Sequence, residues 1–182
     1  EAGKLKDGAG IEDVADVYDS RARIVIGLHQ GRIVASARLI FNELEDDMEH
    51  EQFVTFPSEF PRKDEICEIT RVCTDPDYRG SQILLDLFNF AGLTVVQSKR
   101  KYVLGCGTDE LLPLYKNIGF TVTDISYEHK DLNNKKHTVF LGDVAKGLLG
   151  HNMNPIYWNI VWGNLYNYLK EMDYVDQNPM TA

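Results

Sequence analysis

The sequence predicts an α/β (α+β) domain, with a mixed, mostly antiparallel sheet, flanking helices and a C-terminal helix. Two β-rich runs, 23–29 and 32–41, are separated by Gln30-Gly31, and a two-residue link containing Gly is typical of a hairpin. Between residues 65 and 122 the patterns alternate strand, helix, strand, helix, which indicates βαβ connectivity and one parallel strand pair. At 182 residues we expect one domain over 1–182.

The first half of the chain also holds two irregular segments. Residues 1–15 are rich in Gly and Lys and are predicted to be loose, and Pro57 and Pro61 disfavour regular structure after the hairpin. A third strand is predicted over 65–74. The turn that follows it contains Ser81, which is suited to cap the next helix.

The second half reads as alternating helices and strands. Apolar residues at helical spacing predict a largely buried helix over 82–100, followed by a short strand over 102–106. A helix over 108–119 is closed by Gly119, and two strands follow over 120–129 and 136–141. The last helix, over 154–172, has Pro at its first position, and we expect it to pack onto the core by one side.

The charge balance excludes one large class of function. The chain has 19 basic and 28 acidic side chains, a formal charge of −9, which argues against a nucleic-acid binder. Six of the acids lie in segment 43–51, which has no Lys or Arg. No stretch approaches the roughly 20 apolar residues that cross a bilayer, and no leader pattern is present. We therefore expect a cytoplasmic protein without a transmembrane segment.

The cysteine and histidine patterns predict neither a disulfide framework nor a metal site. Cys67, Cys73 and Cys106 are odd in number and lack paired spacing. No histidine is predicted near Cys73 or Cys106, so we interpret them as structural thiols and not as nucleophiles. His29 and His137 lie in or beside strands, where an ordinary hydrogen-bonded histidine is expected.

The segment from Glu65 to Leu87 carries the most specific pattern. Its strand ends in Val72-x-x-x-Pro76-x-x-Arg79-Gly80, and a helix follows at once, whose free N–H groups are suited to a phosphate. The box Tyr115-x-x-x-Gly119-Phe120 comes one βα unit later. In this order the two motifs resemble the GCN5-related N-acetyltransferase (GNAT) family. Gln82 and Leu84 stand where that family has small loop residues, which disfavours close approach of a pyrophosphate.

A second resemblance covers residues 16–141. Asp16-Val-Tyr-Asp19, Arg38-Leu39 and Glu68-Ile-Thr-Arg71 follow the order found in acyl-homoserine-lactone (autoinducer) synthases. Within that branch the chain most resembles long-chain N-acyl amino acid synthases, which keep the Tyr-x-x-x-Gly-Phe box. The resemblance implies transfer of a long acyl chain from acyl carrier protein to the α-amine of an amino acid, tyrosine in particular. The donor is then the acyl-phosphopantetheine of the carrier protein, or acyl-CoA, and no cofactor is permanently bound.

The resemblance also implies roles for single residues. Glu68 is the candidate general base for the amine, and Tyr115 the candidate acid for the departing thiolate. Backbone N–H groups near Val72 and Cys73 are expected to stabilise the oxyanion. The donor's pantetheine and phosphate are assigned to Thr74, Arg79, Gly80, Ser81 and Gln82.

The acceptor is assigned to four charged residues. Arg38 and Arg71 are candidates to clamp its carboxylate, and Asp16 and Asp19 either bind its ammonium or hold those arginines. In a regular strand Glu68 and Arg71 point to opposite faces, so both serve one site only if a β-bulge intervenes. The structural alternative is that Glu68 pairs with a basic residue of a neighbouring strand.

An acidic carrier protein requires a basic docking surface. We predict it at Lys99–Lys101, away from segment 43–51, with further candidates at Arg79, Lys130 and Lys135-Lys136. Three other functions stay open: an acetyl-CoA-dependent small-molecule N-acetyltransferase, a lactone synthase that uses S-adenosylmethionine, and a non-catalytic acyl- or peptide-binding module.

Overall fold

The computed structural model describes residues 15–129, 134–151 and 153–172. Its centre is one six-stranded sheet in the order β1-β2-β3-β4-β6-β5, in which only the β3–β4 pair is parallel. The mixed, mostly antiparallel sheet is therefore confirmed. The strands are β1 Ala22–His29, β2 Arg32–Phe41, β3 Ile66–Thr74, β4 Tyr102–Gly107, β5 Phe120–His129 and β6 Lys135–Asp143.

A helix follows each of the strands β3, β4 and β6, and two more helices lie near the C-terminal end of the described chain. They are α1 Ile83–Gln97, α2 Leu112–Asn117, α3 Val144–Leu148, α4 Pro155–Trp158 and α5 Asn164–Glu171. A π-helical turn, Asn159–Gly163, joins α4 to α5, so the predicted C-terminal helix is one continuous helical segment. Helix α2 is shorter than predicted because Leu111 N–H closes a turn on the Thr108 carbonyl at 2.9 Å. Helix α3 was not predicted.

The β1–β2 hairpin is confirmed, and its turn explains its sequence. Gln30 and Gly31 have φ angles of +50° and +76°. A two-residue hairpin turn of type I′ requires positive φ at both positions, which Gly adopts without steric cost.

The parallel pair opens at its carboxyl end. Strands β3 and β4 pair only through Ile66–Glu68 and Tyr102–Leu104, although β3 continues to Thr74 and β4 to Gly107. We call this carboxyl end of β3 and β4 the open edge. Helix α1 begins there and runs back along the sheet for 15 residues, about 22 Å. The two strands thus form a split between β3 and β4, with the amino end of α1 beside it.

The two faces of the sheet are covered differently. Helix α1 and the C-terminal helical segment pack on one face, where Trp162 lies against Gly92 and Gly147 and donates to the Ile118 carbonyl at 3.2 Å. This agrees with the expected packing of the last helix onto the core. The opposite face is covered by residues 43–65, whose Met48 joins a smaller core with Ile66, Leu104 and Val139.

Some sequence predictions fall outside these ranges. Of the segment 1–15 only Ala15 is described, and Lys130 is also outside the described residues. In the part of the chain that the structure describes, no helix has both the length and the apolar character needed to span a bilayer.

Candidate active site

Arg38 lies at the centre of a buried ionic cluster on the face opposite α1. Its side chain is only 1% exposed. Its Nη1 lies 2.9 Å from Asp16 and 2.7 Å from Asp19, and its Nη2 lies 2.7 Å from Glu49. The Arg38 Nε donates to Thr70 Oγ1 at 3.1 Å. The Arg38 guanidinium is therefore paired with carboxylates of its own chain, and it holds them in place.

Arg71 reaches the same cluster because β3 is bulged. Ser36 pairs with Cys73 and Arg38 with Thr70, so Arg71 and Val72 together face the single residue Ala37. Arg71 has a φ of +50°, and its Nη2 lies 2.5 Å from Asp16. The bulge thus supplies the extra residue that Glu68 and Arg71 need to share one face.

Three of the four predicted acceptor residues line an open pocket of about 440 Å³. Its wall includes Asp19, Arg38 and Arg71, with Ile24 providing an apolar side. The Arg38 hydrogen bond, followed by a backbone hydrogen bond at Asp16, lowers the pKa of the Asp19 carboxyl, so the carboxylate is charged at neutral pH. The pocket therefore presents a carboxylate and a guanidinium side by side.

Glu68 lies in a second cluster, which is sealed from solvent. Its side chain is fully buried and accepts hydrogen bonds from Asn42 Nδ2 at 2.7 Å, Glu49 N–H at 2.9 Å and His50 N–H at 3.0 Å. The His50 Nδ1 lies 2.5 Å from its Oε2. The partner of Glu68 is thus a histidine from segment 43–51, and not the Arg or Lys of the structural alternative.

The His50–Glu68 contact favours the charged form of both groups. Burial alone would lower the His50 pKa, but hydrogen bonds with Cys106 and Glu68 raise it to about 10. Burial alone would raise the Glu68 pKa, and the hydrogen bond and charge of His50 overcome it and lower that pKa. At neutral pH the pair is therefore an imidazolium and a carboxylate.

Segment 49–50 connects the two clusters. Glu49 contacts Arg38 with its side chain and Glu68 with its backbone N–H, and His50 contacts Glu68. The sequence interpretation missed His50 because it lies in an acidic, irregular segment without periodicity. The one feature of the sequence that could have indicated His50 is its position as a histidine within a run of acidic residues.

Tyr115 lies on the other face of the sheet from Glu68. Its ring stacks on Phe140 with centroids 3.9 Å apart and packs against Gly107, in the part of β4 beyond its pairing with β3. Burial raises the Tyr115 pKa to about 12, so the phenol is protonated at neutral pH. Tyr115 and Glu68 therefore approach the split from opposite sides.

The residues assigned to the donor line the open edge. Gly80 has a φ of +75°, and Ser81 Oγ accepts from the Ile83 N–H at 3.4 Å at the start of α1. Arg79, Gly80, Ser81 and Gln82 are all exposed. Beyond Glu68, the side of β3 that faces β4 has no strand partner in the described sheet, and Val72 and Cys73 lie on that stretch. This leaves room for an extended ligand between the strands.

The prediction that Lys99–Lys101 lies away from segment 43–51 is wrong. Arg100 donates to Glu43 of that segment at 2.9 Å, and Lys101 pairs with a further acid, Glu65, at 2.6 Å. The trio also stands at the far end of α1 from the open edge, because a βαβ helix runs antiparallel to its strands. Of the other candidates, Arg79 and Lys135-Lys136 lie at the open edge, since Gly107 pairs with Thr138.

Sequence comparison points to one family. A family model described as "Acetyltransferase (GNAT) domain" matches residues 2–89, which include β1, β2, β3 and the first half of α1. No curated protein matches the chain significantly in sequence.

Solved structures share most of the fold at low sequence identity. A CoA-dependent acyl-homoserine lactone synthase, MesI, is 22% identical, with a TM-score of 0.57 over 84% of this chain and 73% of its own. A second such synthase, BjaI, solved with SAM and isopentyl-CoA, is 17% identical, with a TM-score of 0.62 over 89% and 71%. FeeM, an N-acyl amino acid synthase from uncultured soil microbes, is 11% identical, with a TM-score of 0.54 over 70% and 75%. The split six-stranded sheet and these neighbours show that the chain has the GNAT fold, and its first half matches the acetyltransferase (GNAT) domain description.

Proposed function

We propose that this acyltransferase moves a long acyl chain from the phosphopantetheine of acyl carrier protein to the α-amine of an amino acid. The observation that carries the proposal is the charged pocket beside the β3–β4 split. There the Asp19 carboxylate and the Arg71 guanidinium lie on one wall, next to an opening suited to pantetheine.

The pocket's charges match those of a free amino acid. An α-amino acid carries an ammonium and a carboxylate, and a carboxylate with a guanidinium complements both. Ile24 adds apolar surface, which suits a large side chain, and tyrosine is our proposed acceptor. Because Arg38 is enclosed by three carboxylates, we assign the substrate carboxylate to Arg71 and give Arg38 the task of positioning Asp16 and Asp19.

Glu68 is the proposed base for the amine, because a protonated His50 cannot accept its proton. The Glu68 carboxylate already accepts four hydrogen bonds, so we propose that one of them is exchanged for the amine or for a bridging water. Backbone N–H groups near Val72 and Cys73 are the proposed oxyanion donors, and Tyr115 the proposed acid. If Tyr115 is the acid, Tyr115→Phe should lower kcat and leave the folded sheet intact, as judged by circular dichroism.

The donor's phosphate is assigned to the open edge. Arg79 and the backbone at Gly80 and Ser81 lie at the amino end of α1, which suits one phosphate. Gln82 and Leu84 leave little space for a pyrophosphate, which favours acyl carrier protein over CoA. Such a donor, together with the charge and cysteine pattern, supports a cytoplasmic location.

Purified protein, a candidate donor and a candidate acceptor test the proposal. We expect N-acyl tyrosine by mass spectrometry from acyl carrier protein, with a lower kcat/KM from acyl-CoA. Arg71→Asn, whose Asn tolerates positive φ, should raise the KM for the amino acid about 10-fold or more and leave the KM for the donor unchanged. No acylated amino acid from either donor would refute the proposal.

Lactone synthesis is the second candidate. It is favoured by the similarity to MesI and BjaI, two acyl-homoserine lactone synthases. S-adenosylmethionine in place of the amino acid separates the two functions. Methylthioadenosine release with an acyl-homoserine lactone would favour this candidate, and an inert S-adenosylmethionine would exclude it.

A further inference from the structure

We propose that Asn42 is a positioning residue for Glu68, the proposed base. It fixes one carboxylate oxygen of Glu68 and ties that carboxylate to the turn that carries Asp19 of the acceptor pocket. This inference deepens the proposed function and rests on it, because it concerns the group that takes a proton from the acceptor amine. The sequence interpretation gave Asn42 no role.

Asn42 is a fully buried amide between two charged side chains. It directly follows Phe41, the last residue of β2, and its exposed fraction is 0%. On one side, Arg21 Nε donates to Asn42 Oδ1 at 2.9 Å. On the other side, Asn42 Nδ2 donates to Glu68 Oε1 at 2.7 Å. Both ends of the buried amide are therefore hydrogen bonded to an ionised group.

The two neighbours allow the Asn42 amide only one orientation. A guanidinium has donors and no acceptor, so the amide oxygen must face Arg21. An ionised carboxylate has acceptors and no donor, so the amide nitrogen must face Glu68. An amide turned over would lose both hydrogen bonds. Asp, which has the same size, would satisfy only Arg21, and Leu would satisfy neither neighbour.

Arg21 extends this contact to the acceptor pocket. A short 3-10 turn begins at Asp19 and ends at Arg21, so one turn holds both a side chain of the pocket wall and the outer partner of Asn42. Arg21 Nη2 also donates to the Asp47 carbonyl at 2.6 Å, which fixes the guanidinium. Asn42 thus helps to set the position of the base relative to the carboxylate assigned to the acceptor ammonium, and such positioning governs the reaction rate.

The Asn42 contact also helps to keep Glu68 ionised. Burial raises the pKa of the Glu68 carboxyl, and the hydrogen bonds from His50 and, with a smaller effect, from Asn42 lower it. When another of the four hydrogen bonds is exchanged for the amine or a bridging water, Asn42 still holds Oε1. The titratable groups that surround Glu68 lie on several elements, and they are Tyr18, Glu49, His50, Cys67 and Tyr127.

The first test replaces Asn42 by Asp, which still accepts from Arg21. One Asp oxygen then takes the place of Nδ2 beside Glu68 Oε1. Two carboxylates this close share one proton, so the upper pKa of the pair should rise by about two pH units or more, to about pH 6 or above. Carbon-13 NMR of carboxyl-labelled Asn42→Asp protein, without substrate, should show a titration in that range that is absent from the wild type.

Kinetics measure the effect of the shared proton on the reaction. The kcat of Asn42→Asp should be lowered at least about 10-fold at pH 7 and should recover toward the wild type as the pH rises. The acceptor ammonium titrates equally in both proteins, so it cancels in the ratio of their rates. The KM for the amino acid should change by less than about twofold, because Asn42 does not line the acceptor pocket.

Asn89→Asp is the matched control. Asn89 lies on α1, and its Nδ2 donates to the Val161 carbonyl at 2.7 Å, the same length as the Asn42 contact. Its kcat relative to the wild type should not depend on pH. A defect in folding alone would likewise show no recovery at high pH.

Two further variants separate positioning from charge. Asn42→Leu adds no charge, and its kcat should be lowered about 10-fold at every pH. If that variant does not fold, Arg21→Met replaces it, because the Arg21 side chain is 23% exposed and is the outer partner of the amide. Arg21→Met should lower kcat less than Asn42→Asp does at pH 7. A wild-type kcat in the folded variant would overturn the positioning role.

The outcomes distinguish this inference from the proposed function. No new carboxyl titration in Asn42→Asp, or a wild-type kcat for it at pH 7, would overturn the role of Asn42. The second result would leave amino-acid acylation standing. If the wild type acylates no amino acid, the proposed function fails, whereas the NMR titration still shows whether Asn42 controls the charge of Glu68.

Discussion

At the scale of single residues, Arg38 shows how the acceptor pocket is built. Three carboxylates surround a guanidinium that is 1% exposed, and for this reason we assign substrate contact to its neighbours and not to Arg38. Removing one partner of a buried ionic group leaves the others unpaired, which costs far more than breaking a surface pair.

Arg38→Met should therefore lower the free energy of unfolding by about 3–5 kcal/mol in urea denaturation. Arg62→Gln is the matched control, because Arg62 is exposed and pairs with Asp64, two residues away. That control should be indistinguishable from the wild type. Equal stability of both variants would contradict the assigned role of Arg38.

The His50–Glu68 pair predicts a pH dependence of stability. The folded pKa of His50, about 10, is above the ordinary value of 6.5, so its contribution is complete below pH 6.5 and is lost as the pH rises toward 10. The lowered Glu68 pKa has the opposite sign, and its contribution is lost only in acid. Between pH 7 and 9 this histidine should lower the free energy of unfolding by about 1.4 kcal/mol per pH unit.

Glu68→Gln removes the charge that keeps His50 protonated. Its free energy of unfolding should be lower than that of the wild type at pH 6.5, and the difference should shrink by pH 9. Urea denaturation at both pH values measures this. Parallel stability curves for the two proteins would show that His50 is not protonated by Glu68.

The residue scale also shows where sequence interpretation stops. Asp16, Asp19, Arg38 and Arg71 were expected at one site, and the structure brings them together, because the motif order preserves their strand positions. His50 was not expected, because its contact with Glu68 depends on how residues 43–65 cross the sheet. No local pattern encodes that path.

At the scale of elements, close approach of neighbouring side chains explains the glycines of β4. A Cβ at Gly105 would lie 2.6 Å from Phe140 and 3.0 Å from Ile69, inside the main core. Gly163 has helical angles, and its nearest contact would be an ordinary 3.6 Å. The same substitution should therefore have opposite effects at the two sites.

Gly105→Ala should lower the free energy of unfolding by about 1–3 kcal/mol, because Phe140 has to move. Gly163→Ala should raise it by about 0.4–1 kcal/mol, because Ala restricts the unfolded chain and suits a helix. Urea denaturation of both variants checks the pair. A Gly105→Ala protein as stable as Gly163→Ala would refute the tight packing of β4 on Phe140.

Strong local signals made the elements predictable. Gln30-Gly31 predicted the hairpin because a two-residue link between strands requires a turn with positive φ, which Gly adopts readily. Both residues have positive φ in the structure. The parallel β3–β4 pair was predicted because a strand, a helix and a strand in sequence have few other arrangements. Short helices gave weaker signals, since α2 and α3 have six and five residues and little periodicity.

At the scale of the whole molecule, the two ends of helix α1 have different surroundings. The carboxyl end of α1 is followed by Lys99–Lys101, and within this trio Arg100 and Lys101 are paired with acidic side chains. The open edge carries the split, the amino end of α1 and the start of β6. Under the proposed function, acyl carrier protein delivers its pantetheine at the open edge, because the split lies there.

Docking of acyl carrier protein should therefore depend on Lys135 and Lys136 at the start of β6. The double variant Lys135→Glu and Lys136→Glu should raise the KM for acyl carrier protein about 10-fold at low salt, because charge reversal slows the association of an acidic partner. The KM for a small acyl-pantetheine donor should not change, since that donor needs no protein contact. Lys99→Asp, at the other end of α1, is the matched control and should leave both KM values unchanged. Steady-state kinetics at two salt concentrations measures these KM values. A larger rise in the KM for acyl carrier protein from Lys99→Asp would show that the carrier protein docks at the Lys99–Lys101 surface.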